Sequence, residues 1–243
     1  GTPAIGCNRT VVSTFSPQTE LMAFSMMGGF WAPELKHAGF DGLIVTGRAD
    51  APVYLRVANG EYSLEDASDL WGLDIYAAQQ RLIDRHGNGW RVLAIGPAGE
   101  SLCRIAIAAT ETESASGQGG FGAVMGSKRL KAIAVRGTMP LKVADPKGFE
   151  RVCRLVRGEA HASHGWPHEP KLDPDKVKRF GQKFQACTQG CAVRCYDARF
   201  YTTVPAVLNR GKVLSGQMDC IAGLFPGFPE SFTMSSGKSS RLC

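Results

Sequence analysis

Three cysteines crowd into one short stretch, Cys187-Thr188-Gln189-Gly190-Cys191-Ala192-Val193-Arg194-Cys195. Thiolates are soft ligands that select iron–sulfur clusters and zinc over hard cations. Three of them at even gaps can hold one part of an iron–sulfur cube, with a fourth ligand drawn from elsewhere. A structural zinc site more usually shows paired C-x2-C elements or an adjacent histidine, and here His161, His164 and His168 lie well upstream. Ordinary reduced thiols are the third reading, and the spacing alone leaves all three open. Cys7, Cys103, Cys153, Cys220 and Cys243 stand alone in sequence. Eight cysteines in 243 residues fall short of a disulfide scaffold. The pattern therefore favours a reducing compartment, the cytoplasm, and metal ligation.

Glycine is the second signal. Ser116-Gly117-Gln118-Gly119-Gly120-Phe121-Gly122 leads into Ala123-Val124-Met125-Gly126-Ser127-Lys128, and Ser25-Met26-Met27-Gly28-Gly29-Phe30-Trp31 makes another glycine corner. Glycines let backbone N–H groups approach an anion, and a following helix start adds partial positive charge. The spacing before Lys128 is not that of a Walker loop. A tight strand-to-helix corner explains one such segment as well as an anion cradle does. Two in one β-rich unit can frame a flat, phosphate-bearing ligand. Arg9, following Cys7-Asn8, is a phosphate-binding candidate or a surface arginine, and Glu34 reads as a helix-start acid. The histidines of residues 161–168 are read as structural. The sequence holds no nucleophile elbow, paired-carboxylate signature or His-Glu-x-x-His element.

Such residues need elements to position them, and the apolar pattern supplies those. Runs rich in β-branched residues, bounded by turn residues, predict strands over 42–47, 53–57, 61–64, 91–95, 103–109 and 131–135, with Asn59-Gly60 turning a hairpin. Apolar residues at Ile75, Ala78, Leu82 and Ile83 predict a helix over 75–86. A second helix is expected to begin at or just before Ser127, a third after Asp145-Pro146, and a fourth over 174–186. The class is α+β: a β-rich unit over 1–138, then the start of a helical unit over 139–243.

Composition narrows the function classes. Hydrophobic residues at 44% and charged residues at 21% exclude a disordered chain. The surplus of 28 Lys+Arg over 22 Asp+Glu is modest. Its densest knots are Lys128, Arg129 and Lys131, then Lys176, Lys178 and Arg179, so nucleic acid is not an expected partner. No apolar run approaches the roughly 18 residues of a membrane span. The opening on Gly1 without an initiator Met, and the Ser/Gly/Lys-rich stretch before Cys243, lead to the expectation of a piece of a longer protein.

Taken together, three blocks resemble the aldehyde ferredoxin oxidoreductase family. They are Gly28-Gly29-Phe30-Trp31-Ala32-Pro33-Glu34-Leu35-Lys36-His37-Ala38-Gly39-Phe40-Asp41, Ile95-Gly96-Pro97-Ala98-Gly99-Glu100, and the run from Gly119 to Lys128, in family order. The likeness covers residues 1–137 and resumes at Cys187, Cys191 and Cys195. Gly6-Cys7-Asn8-Arg9-Thr10 and the corner from Ser25 to Trp31 are most similar to the tungsten subunit of class II benzoyl-CoA reductases.

The resemblance implies a tungsten (less often molybdenum) ion held by two pterin dithiolenes beside a [4Fe–4S] cluster. The platform would be an N-terminal double β-sheet pterin-binding domain. On that basis Arg9 is a pterin-phosphate arginine, Met26, Gly28 and Gly29 lie on a first pterin loop, and Ala115 and Gly117 lie near a second. Cys187, Cys191 and Cys195 are three cluster ligands. Two departures stand out: the first cysteine gap is three residues where the family usually has two, and Glu113, Ser114 and Gln118 stand where a second-loop arginine is common. The implied activity is oxidation of aldehyde or oxo donors with ferredoxin as electron acceptor. An alternative is the tungsten subunit of an aromatic acyl-CoA reductase with an iron–sulfur partner subunit. Either would work as a homodimer or a hetero-oligomer. The competing expectation is a truncated, non-catalytic or partner-completed cofactor-binding fragment. Catalytic residues beside the metal are not assigned.

Overall fold

The computed structural model describes residues 2–4, 7–110, 114–117 and 119–163, and three later strands over 183–184, 198–203 and 213–217. The chain divides into two compact units, one formed by Gly1–Phe149 and the other starting at Glu150.

In the first unit, β1 (Thr10–Phe15) and β2 (Met22–Met27) pair antiparallel as a two-stranded ribbon. The Ser16 hydroxyl sets their turn by accepting from the N–H groups of Gln18 and Thr19. The chain then enters α1 (Trp31–His37), where the Trp31 indole donates to the Ile133 carbonyl at 3.0 Å. β3 (Val53–Ala58) and β4 (Glu61–Asp66) make the predicted hairpin, with Asn59 and Gly60 at φ of 44° and 89°. Positive φ at both central residues is what a type I′ turn requires. α2 (Ile75–His86) occupies its predicted span, capped by Asp74, whose carboxylate accepts from the Ala77 N–H at 2.8 Å. β5 (Arg91–Ile95), α3 (Pro97–Glu100), β6 (Ala108–Ala109), α4 (Phe121–Ser127) and β7 (Leu130–Arg136) follow. α5 (Pro146–Ser163) begins after Asp145, as predicted.

Five strands build one sheet in the order β4-β3-β7-β5-β6, antiparallel except between β3 and β7. Side chains alternate across it. β5 and β7 send Leu93, Ile95, Ile133 and Val135 to one face, against Met27, Trp31, Leu35 and Ala38. They send Val92, Ala94, Ala132 and Ala134 to the other, against Leu70, Ile75, Leu82 and Trp90. Strands covered on both faces are largely apolar, which is why β5 carries the hydrophobic run Val92–Ile95 and β7 the run Ala132–Val135.

Four expectations meet a different outcome. Residues 42–47 form no strand, because none of the described strands pairs with them. Of 103–109 only Ala108 and Ala109 pair, since the amides of Cys103 and Ala106 are spent in turns to the carbonyls of Ala98 and Cys103. The helix expected to begin near Ser127 instead ends there, and Gly120 in the left-handed region starts it seven residues earlier. Within 174–186, Lys183–Phe184 form β8, which pairs with β9 (Ala198–Thr203), itself paired with β10 (Val213–Gln217). This is a three-stranded antiparallel sheet, and the rest of 174–186 lies outside the described residues. Among the described residues, no helix is long and apolar enough to cross a membrane.

Candidate functional site

The ribbon fixes the first loop. Its terminal pair is Thr10↔Met27, so Arg9 and Gly28 are the next residues beyond the two strands, at the same end of the ribbon. Alternation turns Met27 into the core at 1% exposure and leaves Met26 on the open face at 59%. Arg9 is exposed, and its guanidinium meets no hydrogen-bond partner among the described residues. Gly29 follows with φ of 83°.

The second loop is anchored to the edge strand. Ala115 bridges to Ala109, and the fully buried Ser116 both donates its N–H to the Ala108 carbonyl at 2.8 Å and accepts the Ala108 N–H on its hydroxyl at 2.9 Å. Gly117 comes next with φ of 59°, a conformation costly for any residue with a Cβ. A Cβ placed on Gly117 would stand 3.5 Å from the Ser25 hydroxyl and, among the described residues, meet nothing else within 4 Å. The two glycine corners, far apart in sequence, thus lie side by side, and Gly117 leaves a small open cradle beside Ser25.

The glycines just beyond it do different work. The Gly122 N–H is already bonded to the Ala106 carbonyl at 2.9 Å, and Phe121, Gly122 and Ala123 are buried. A Cβ on Gly99 would meet the Gly122 carbonyl oxygen at 2.8 Å, and one on Gly126 would run into the Gly99 carbonyl. Close approach to the Arg104 and Ile107 carbonyls at Gly120 and Gly122, and to α3 at Gly126, therefore accounts for this part of the motif. The tight-corner reading applies to Gly119–Gly122, and the open-loop reading remains for Gly117.

Polar networks that sequence reasoning missed hold this frame. Lys131, with a fully buried side chain, donates to the Leu73 carbonyl at 2.7 Å and pairs with Glu100, whose carboxylate also accepts the Gly72 N–H at 2.8 Å. Burial pushes the Lys131 pKa down, and the hydrogen bond and charge of Glu100 oppose that shift. Glu34 accepts from the Arg136 guanidinium and from the Gly137 N–H, both at 2.9 Å, which makes it a structural acid. A lysine inside a strand of otherwise apolar residues was the one available signal for the first network; nothing local marked the second.

Beside the ribbon lies a cavity of about 510 Å³, lined by Arg9 to Thr14 of the β1 segment, by Leu35, Phe40, Leu43 and Val45, and by Met125, Leu130 and Ile133. The Thr10 hydroxyl is buried at this cavity with no hydrogen-bond partner among the described residues. Cys187, Cys191 and Cys195 lie outside the described residues, as do Glu113 and Gln118. Among the described residues, no group of three or more His, Cys, Asp or Glu is placed to hold a metal ion, and Cys7, Cys103 and Cys153 are free thiols.

This arrangement, two glycine loops meeting at the edge of a mixed sheet, belongs to a known class. The family model for the aldehyde ferredoxin oxidoreductase N-terminal domain matches residues 1–137, and the chain is a member of that family. It is 42% identical over 155 residues to a tungsten-containing aldehyde ferredoxin oxidoreductase of Pyrococcus abyssi, covering 63% of this chain and 26% of that protein. A protein of the same description from Thermococcus kodakarensis is 39% identical over 172 residues, covering 69% of this chain and 28% of its own. A solved active-site complex BamBC of benzoyl coenzyme A reductase, with bound 1,5-dienoyl-CoA, matches 92% of this chain and 39% of its own at a TM-score of 0.74 and 30% identity. The chain therefore spans about a quarter of the length of the curated relatives it matches.

Proposed function

We propose that these residues form the cofactor platform of a tungsten–pterin oxidoreductase that acts on aldehyde or oxo donors and passes electrons to ferredoxin. The observation that carries the reading is the meeting of the two glycine loops, at Ser25 and Gly117, in a chain 39–42% identical to tungsten-containing relatives. The residues present fit such a group. Arg9 offers an exposed cation to a phosphate at the ribbon end, beside Gly28 and Gly29. Gly117 and Ala115, tied to β6 through Ser116, offer backbone without bulk. When bound, the metal supplies two-electron redox chemistry at low potential. The chain's own part is to bind the phosphate through Arg9, orient the cofactor on the Met26–Gly29 and Ala115–Gly117 backbones, and keep both loops rigid through the sheet beneath them.

On the same reading, Cys187, Cys191 and Cys195 are thiolate ligands of a [4Fe–4S] cluster, a donor set whose softness suits iron–sulfur, and the platform ends near residue 138. A second reading, the tungsten subunit of an aromatic acyl-CoA reductase working with an iron–sulfur partner subunit, draws support from the BamBC match over 92% of the chain.

The test is elemental analysis of protein purified without oxygen from a pterin-making host. About four irons with tungsten or molybdenum per chain is the expected result. Iron without tungsten or molybdenum reduces the chain to a cluster carrier, and no metal removes the claim that these residues assemble a site. Arg9→Ala and Gly117→Val should each lower tungsten content while leaving the far-UV spectrum unchanged. Turnover of aldehydes against aromatic acyl-CoA esters then separates the two readings.

A further inference from the structure

We propose that Asn88 is a site of spontaneous deamidation, and that its isoaspartate product loosens the tie between α1 and the sheet. The sequence holds two Asn-Gly pairs, Asn59-Gly60 and Asn88-Gly89. In such a pair the glycine nitrogen can attack the asparagine side-chain carbonyl carbon, because no Cβ on the glycine blocks the approach. The new N–C bond forms as the bond from that carbon to the side-chain nitrogen breaks. The glycine amide proton is given up, and ammonia leaves. Water then opens the cyclic imide at either carbonyl, giving aspartate or isoaspartate. The reaction needs a backbone N–H that is not already bonded, and a side chain at liberty to turn towards it.

The structure separates the two pairs on both counts. Asn59 is held at both ends of its amide by Thr138: Nδ2 donates to Thr138 Oγ1 at 2.9 Å, and Oδ1 accepts the Thr138 N–H at 2.9 Å. The Gly60 N–H is spent on the Ala38 carbonyl at 2.7 Å. Asn88 is exposed in the turn between α2 and β5. Neither its side chain nor the Gly89 N–H has a hydrogen-bond partner among the described residues. Packing also explains why so labile a pair stands there. Gly89 has φ of 99°, and a Cβ on it would stand 2.9 Å from the Arg136 guanidinium. A bulkier residue at 89 would strain the backbone and displace that group. The same contact carries the consequence. Arg136 donates to the Gly89 carbonyl at 3.1 Å and to Glu34 of α1 at 2.9 Å. Isoaspartate routes the main chain through the former side chain, which adds a methylene just before Gly89 and leaves a free carboxylate beside it. The Gly89 carbonyl shifts, and the new carboxylate competes with Glu34 for the guanidinium.

Peptide mass mapping tests this on the folded protein aged at mildly alkaline pH, where the glycine amide proton is lost more readily, beside the same chain aged in denaturant. In the folded protein Asn88 should convert at least about tenfold faster than Asn59, which must open locally first. In denaturant the two should convert at similar rates, since both are then plain Asn-Gly pairs. Asn88→Gln should abolish conversion at 88 and leave the denaturation midpoint unchanged. Amide exchange in α1 should quicken in step with isoaspartate at 88, and should not do so in aged Asn88→Gln protein. Equal rates at the two positions in the folded protein overturn the proposed site, as does conversion of Asn88 only after unfolding. Unchanged exchange in α1 once Asn88 has fully converted overturns the coupling to that helix.

Discussion

The β1–β2 ribbon and the five-stranded sheet use similar residues and arrive at opposite states. In the sheet, β5 and β7 lie between two layers, and Val92, Ala94, Ile95, Ala132, Ala134 and Val135 have no exposed surface. In the ribbon, Val11, Phe15, Met22, Phe24 and Met26 share one face by register, and each is more than half exposed. The difference does not lie in strand propensity. It lies in whether neighbours supply both backbone partners and apolar cover. The sheet is covered on its two faces by α1 and α2, while the ribbon keeps one apolar face exposed among the described residues.

Substitutions in the two regions should differ accordingly in their cost. The largest effect should come from Lys131→Ala, which leaves the Glu100 carboxylate buried beside Leu73 without its cation. Removing one partner of a buried pair typically costs about 3–5 kcal/mol, read as a drop in the denaturation midpoint. Leu93→Ala, at 4% exposure in the sheet core, should cost about 2–5 kcal/mol through lost burial and a cavity. Should either substitution be silent, the sheet is not the stable half of the unit.

A smaller, pH-dependent effect belongs to His86. Its ring accepts or donates to the Tyr54 hydroxyl at 3.0 Å and packs on Trp90. Burial lowers its pKa from the usual 6.5, and the charges of Arg56 and Arg85 push the same way against Glu65. The folded state prefers the neutral ring, so stability is full above that value. It declines as pH falls below 6.5, where the unfolded chain takes up the proton more readily. Melting temperature against pH should show this slope, and His86→Gln should flatten it. Phe24→Ser should change least, within about 0.5 kcal/mol, because the ring is 72% exposed. It should also reduce self-association, and a large destabilisation would mean the ribbon face is already covered.

Much of the closed half was legible in advance. The Asn59-Gly60 turn, the 75–86 helix and the two central strands all carried local signals strong enough to decide them. The failures share a physical cause. Residues 42–47 have the composition of a strand, but a strand needs a paired neighbour, which composition cannot provide. The run 103–109 alternates correctly, yet turns at Cys103 and Ala106 take the hydrogen bonds a longer strand would need. The glycines of 117–126 looked uniform as a motif. Their neighbours divide them into an open loop at Gly117 and close backbone contacts at Gly122, with Ile107, and at Gly126, with Gly99 of α3.

Motif order and spacing are properties of the chain, so the family, the α+β class and the residue types at the proposed site are readable without coordinates. Packing in three dimensions is what brings Gly117 beside Ser25, sets Arg9 and Gly28 at one end of the ribbon, and clamps Lys131 with Glu100. Those contacts join residues up to about ninety positions apart. Contacts at that range depend on how layers pack, so no local pattern records them.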